Sequence, residues 1–406
     1  MGNKQVIPSG STATLDYVEG ELVLGRDSTL EGKGAARTIK ILGTIYCEGN
    51  NAFEGNVSAE NLEAEDGVRV HGDLHIENSV ELEDGRLEVY GNMTARHVDV
   101  GEALFVSQRL RAEEIDIGGS LKVDGDVKAE DVNVGGSFKA IGEVEVKDVD
   151  VGGSVLIESK VDIIKLDVGG TARINGGKIR EIDVGGTFES NGPLEFESMD
   201  VGGTVRLKAQ NKGEKIEVGG SFRVEGDLKF EKIEVGGKVE ITGTAEGDKM
   251  EIGGKVEVGR ILKLSENLEV GGKVEVGEEL SAKNIEVGGV VRARKVIAEE
   301  RVEVGGAITT VEGVTAHFVE IGRKGEVRGP INADNIVIGK EARVENIHGK
   351  RILLRSGAHA ENVYGESITI EAHCNISGEV QYTNELRLGE HVSLVKPAQK
   401  VSALPL

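Results

Sequence analysis

The chain has 406 residues and a lopsided composition: 59 Gly against 5 Pro, 8 Phe, 5 Tyr and no Trp, with 71 acidic and 48 basic residues for a net charge of −23. That charge disfavours nucleic acid and anionic lipid surfaces as partners. Glycine without a strict three-residue period excludes collagen, and no apolar run reaches the length of a membrane span.

Taken in chain order, residues 1–16 carry Pro8, Ser9, Gly10 and Ser11 and show no periodicity, so they read as a tail. From 17 to 395 a repeat of about 17 residues governs the chain. It is weak over 17–100, strong over 101–340 and modified over 341–395. Its signature is an acid, an aliphatic and two glycines, as in IDIGG, VDVGG and IEVGG. The aliphatic falls at Ile117, Val134, Val151, Val168, Val184 and Val201, then at Val218, Val235, Ile252, Val270, Val287 and Val304. Residues 396–406, KPAQKVSALPL, lose the period and read as a second tail.

Within one repeat the apolar residues alternate with polar ones, which is a strand signal. Residues 115–131 divide into IDIGG, SLKVDG and DVKAED, three short strands that each turn two residues inward. A unit this short has no room for a helical hairpin. The expected fold is all-β: one continuous three-sided β-solenoid of about 21 or 22 coils, each bonded to its neighbours at about 4.8 Å spacing. Inward Val, Ile and Leu form a thin core that needs no aromatic rings. Glycines make the corners, through positive φ or close packing, and proline is scarce because neighbouring coils use almost every backbone N–H.

The phrases YVEGELVLG (17–25), VHGDLHIENSVELEDG (70–85), SLKVDGDVKAEDVNVGGSF (120–138) and RVEGDLKFEKIEVGG (223–237) resemble the bactofilins, a family of polymer-forming cytoskeletal β-helix proteins. The resemblance implies a right-handed, three-sided β-helix and nucleotide-independent assembly into filaments. The familiar bactofilin domain has about a quarter as many coils. A second resemblance is to the glycine-rich β-helix regions of large amidotransferase and formylmethanofuran enzymes, which are themselves scaffolds.

In a solenoid, a residue repeated at one phase becomes a ladder. Glu63, Glu81, Asp99, Asp116, Asn133, Asp150, Asp167, Asp183, Asp200, Glu217, Glu234, Glu251, Glu269, Glu286, Glu303 and Glu320 form an outward column that is acidic but for the asparagine. Like charges at that spacing repel by about 1 kcal/mol per neighbour even in water. The column is either a docking strip for cations or a basic protein partner, or a solvated face that blocks lateral aggregation. Lys238, Lys255 and Lys273 stand two residues before Glu240, Glu257 and Glu275, so those pairs offset each other on one face. Ser120, Ser137, Ser154, Thr171, Thr187, Thr204 and Ser221 form a hydroxyl column, expected to cap the corners. His373 and His391 should stack on adjacent coils with Cys374 alongside, a conceivable metal trio that lacks a fourth ligand or a standard spacing.

No Walker or Rossmann glycine pattern and no calcium nonapeptide appears, and the interval leaves little room for loops that would build a catalytic groove. The chain therefore reads as a non-enzymatic structural protein without a cofactor. Two distant cysteines, Cys47 and Cys374, and a start without an apolar signal segment point to the cytoplasm and against membrane insertion. The chain's partner is expected to be itself, joined end to end. End coils expose unpaired backbone and an open core, which must be joined or capped. The end residues are expected to be Leu22, Val23 and Leu24 at one end, and Leu386, Leu388, Val392 and Leu394 at the other. A tail bearing Val401, Leu404 and Leu406 is the alternative cap, giving a monomeric scaffold.

Overall fold

A computed structural model describes residues 3–405. It is all-β, a parallel β-solenoid of about 17 residues per turn. Among the described residues there is no helix, and so none long and apolar enough to cross a membrane.

In residues 3–203 each coil has three strand-forming sides, and from Val127 onward sides three and one run on as a single strand. Taking one coil, side one is Asp131–Val134, side two is Ser137–Ala140 and side three begins at Val144. Side one pairs in parallel with the coils on either side: Asp116 meets Asn133, which meets Asp150. Side two does the same, Ser120 to Ser137 to Ser154. Because side chains alternate, this register stacks inward residues on inward residues. Val132 and Val134, for example, lie under Val149 and Val151, and all four are buried. The core is not free of rings. On side two, Leu121, Phe138, Val155, Ala172 and Phe188 form one buried column, in which the smaller Val155 and Ala172 separate the two phenylalanines.

Residues 204–405 follow the same plan. Lys232–Val235 is a side-one strand and Lys238–Ile241 a side-two strand, paired to the next coil at Lys249–Ile252 and Lys255–Val258. On side three Phe230 faces Gly247, where a Cβ would come within 2.4 Å of the ring. A large ring in one coil is accommodated by a missing side chain in the next.

The double-glycine corners do not need positive φ, and only close packing explains them. Where Val-Gly-Gly recurs, a Cβ on either glycine would lie 2.1–2.6 Å from a main-chain carbonyl oxygen of the preceding coil. For Gly152 that oxygen belongs to Gly135, at 2.5 Å. The first and last coils turn differently. Asp27 and Asn50 near the start, and Lys324, Glu341, Gly357, His373 and His391 near the end, adopt left-handed φ between 52° and 76°. The residue after each of several of these, Ser28, Asn51, Ala342, Ala358 and Cys374, points into the core.

Two boundaries expected from the sequence are corrected. Residues 3–7, 12–15 and 17–18 are strands of a first coil, paired in parallel with 20–24, 29–32 and 40–41. Gln399 and Lys400 likewise pair with Gln381 and Tyr382. The count of turns is accordingly ~23 rather than 21 or 22. Both segments lack the glycine pair and the strict apolar alternation, and backbone pairing to a well-formed neighbour orders them regardless.

Candidate functional site

Two features stand out: the uncovered terminal coils and the acidic column. At the start, Leu22 and Leu24 are fully buried, and Val23 is half-buried, because Gln5, Val6 and Ile7 pair over them. The expected end residues therefore lie one coil inside, and the true edge is Asn3–Ile7 with Thr12–Leu15 and Tyr17–Val18. Its outward Val6 and Tyr17 are 58% and 50% exposed. At the other end the expected residues do lie at the edge. Leu386 and Leu388 sit on the outermost side-one strand, Leu394 on the outermost side-two strand, and Val392 enters that corner. Leu388 is 49% exposed, and Leu386, Val392 and Leu394 are half-buried. Among the described residues no strand covers 3–7, 12–15 and 17–18 at one end, or 385–388, 393–394 and 399–400 at the other.

The last segment does not cap this end. The Val401 amide donates to the Tyr382 carbonyl at 2.9 Å. The chain then turns back along the flank, where Leu404 enters a groove lined by Ala316, Ala333, Gly349 and Lys350. Leu406 lies outside the described residues.

The acidic column is in register as expected, from Glu63 through Asp116, Asp150, Asp167, Asp183 and Asp200 in residues 3–203. It is equally in register from Glu217 through Glu234, Glu251, Glu269, Glu286, Glu303 and Glu320 in residues 204–405. The two stretches differ in their neighbours. Beside the first runs a second, mostly acidic column on the same face: Glu114, Asp131, Asp148, Lys165, Glu181 and Ser198. Partial desolvation, then Asp116 and Glu81, raises the carboxyl pKa of Asp99. Desolvation followed by the Asp148 and Glu114 charges does the same at Asp131, and desolvation followed by Asp167 and Asp200 at Asp183.

Beside the second stretch the flanking residues are mostly basic. Lys215 pairs with Glu217 at 2.5 Å, and Lys232 and Lys249 pair with Glu234 and Glu251. Arg301 reaches Glu303 and, at 3.3 Å, Glu320. The Lys232 hydrogen bond holds Glu234 below the usual carboxylate range. On side two the foreseen lysines build a zipper: Lys238 bonds Glu240 and Glu257, Lys255 bonds Glu257 and Glu275, and Lys273 bonds Glu275. Two lysines hold the Glu275 carboxyl at about 2. The zipper's glutamates Glu240, Glu257 and Glu275 line a surface groove of about 940 Å³ together with Arg292, Thr310 and Val311.

The supposed metal trio does not converge. His373 and His391 stack with ring centroids 5.3 Å apart on the exposed side of their corners. Cys374 follows a left-handed residue and so turns inward, its Sγ 3.2 Å from the Arg355 carbonyl. Burial pushes its thiol pKa up, away from the thiolate that a metal would need. Nor do the serine and threonine hydroxyls close the corners. The main-chain amides do, Ser154 to Gly136 at 3.1 Å and Thr171 to Gly153 at 3.2 Å.

The fold and these surfaces define a parallel β-solenoid repeat protein. No family model, no curated protein and no solved structure matches the chain.

Proposed function

We propose that the protein is a structural, non-enzymatic β-solenoid that polymerises end to end into nucleotide-independent filaments of the bactofilin kind, in the cytoplasm. The observation that carries this reading is the pair of terminal coils that no described strand covers, with the last described residues folded onto the flank instead of over the end. Unpaired strand edges are templates for another chain, and natural proteins usually block them. Leu386, Leu388 and Leu394 add an open apolar mouth to that edge. The test is negative-stain microscopy of purified protein without nucleotide, where threads longer than one molecule are expected.

A second reading is a monomeric scaffold that binds a basic protein along the paired acidic columns between Glu114 and Asp200. It is favoured by the contrast with Glu217–Glu320, where the same column is neutralised. Isolated particles at all salt concentrations, together with salt-sensitive retention of a lysine-rich protein, would support it and sink the first.

A further inference from the structure

We infer that Asn175 is a spontaneous modification site, where the folded chain itself converts asparagine to aspartate and isoaspartate. This chemistry is independent of filament formation.

The sequence holds Asn-Gly twice, at 175–176 and 191–192, in the same corner of adjacent coils. Asparagine is a thermolabile residue. Before glycine it is most open to attack, because no side chain shields the following amide nitrogen. The first of the two corners is the better disposed. Asn175 is exposed and lies between the strands Thr171–Ile174 and Gly177–Val184. Among the described residues the Gly176 amide has no hydrogen-bond acceptor, so no bond must break before it reacts. The far side of the glycine is held: the Val161 amide donates to the Gly176 carbonyl at 3.1 Å, and the Gly177 amide to the Pro193 carbonyl at 2.9 Å. Gly176 and Gly177 have φ of +87° and +126°. The turn is also short. Residues 175–176 alone join sides two and three, where the coils on either side use 158–160 and 191–193. At the second corner Pro193 restricts the Gly192 backbone, so ring closure there is slower.

The step needs only water. The Gly176 nitrogen gives up its proton to water and attacks the side-chain carbonyl carbon of Asn175. A C–N bond forms and closes a cyclic imide, while the bond to Nδ2 breaks and ammonia leaves. Water then opens the imide at one carbonyl to give aspartate, or at the other to give isoaspartate. The isoaspartyl product carries an extra main-chain carbon, at the corner that is one residue short. The aspartyl product loses the Nδ2 donor, which bonds the Glu158 carbonyl at 3.3 Å, and sets a carboxylate against that oxygen instead.

The test is peptide mass spectrometry of the folded protein, incubated at mildly alkaline pH in water enriched in heavy oxygen. Acid forms of residue 175 carrying the heavy oxygen are expected before any at Asn191. Methyl uptake in a protein isoaspartate methyltransferase assay should rise in parallel, and Asn175→Gln should abolish that early uptake. Conversion at Asn191 first, or at neither position, would overturn the inference. So would conversion at Asn175 only after urea unfolds the chain, since the folded corner would then be protective. As an independent arm, Asn175→Asp should speed hydrogen exchange at the Val161 and Gly177 amides and leave 238–276 unchanged. Unaltered exchange at both amides would reject the role given to the Nδ2 bond.

Discussion

Glycine serves two physical purposes in this chain, and substitutions separate them. At Gly152 the constraint is space: a methyl group would sit 2.5 Å from the Gly135 carbonyl oxygen, against main chain that cannot swing away. Gly152→Ala should therefore cost about 1–3 kcal/mol, as overpacking does. Gly357 is set by its φ of +76°, and its nearest neighbour is the Glu341 Cγ at 3.4 Å. Asparagine tolerates that conformation, so Gly357→Asn should cost less than about 1 kcal/mol. Urea midpoints of the two variants check the contrast, and equal losses would refute it. Glycine in the sequence marked the corners correctly but not which of the two purposes held, because φ is a property of the folded turn. The same gap left the direction of Cys374 open. His373 and Cys374 are adjacent in sequence, and only the left-handed corner shows that they point to opposite sides of the wall.

Strand alternation and the 17-residue interval made the middle coils legible, since each coil repeats its neighbour's pattern. The first coil was missed because NKQVI puts Gln5 at an inward position and brings no glycine pair. Its order comes from pairing with Gly20–Leu24, a long-range contact that the spacing of apolar residues does not carry. Packing between successive coils was also hidden, because it depends on residues one period apart being read as a pair. Phe230 and Gly247 are such a pair. Gly247→Ala alone should destabilise by about 1–3 kcal/mol through overpacking. Combining it with Phe230→Leu should recover at least half of the loss in thermal unfolding, whereas additive losses would show that the two residues are not coupled.

Across the molecule, the acid and base pattern gives residues 3–203 and residues 204–405 opposite responses to pH. In the second stretch Glu275, Glu257 and Glu234 are held below their ordinary 4.5 by lysines. A lowered acid pKa stabilises the fold above the unfolded value, and that contribution drains away as pH falls below about 4.5, for Glu275 towards about 2. Because these pairs are exposed, screening by water and salt keeps each contribution small. In the first stretch Asp99, Asp131 and Asp183 are raised, so ionisation opposes folding at neutral pH and protonation relieves it. Peptide-resolved hydrogen exchange at pH 6 and pH 3.5, corrected for intrinsic rates, should show protection falling over 238–276 and holding or rising over 99–200. Uniform loss across both would contradict the assignment. The lysines that make this difference stand two residues before their glutamates. That signal was legible for the side-two zipper and overlooked for side one.

The turn made after Lys400 has a practical consequence for labelling. With Leu404 held in the groove beside Ala333 and Gly349, anything joined after Pro405 begins on the side wall and leaves the final edge strands clear. A fluorescent domain or affinity tag placed there is suited to following the protein in cells. The same addition before Lys4 would stand directly on the first edge strand.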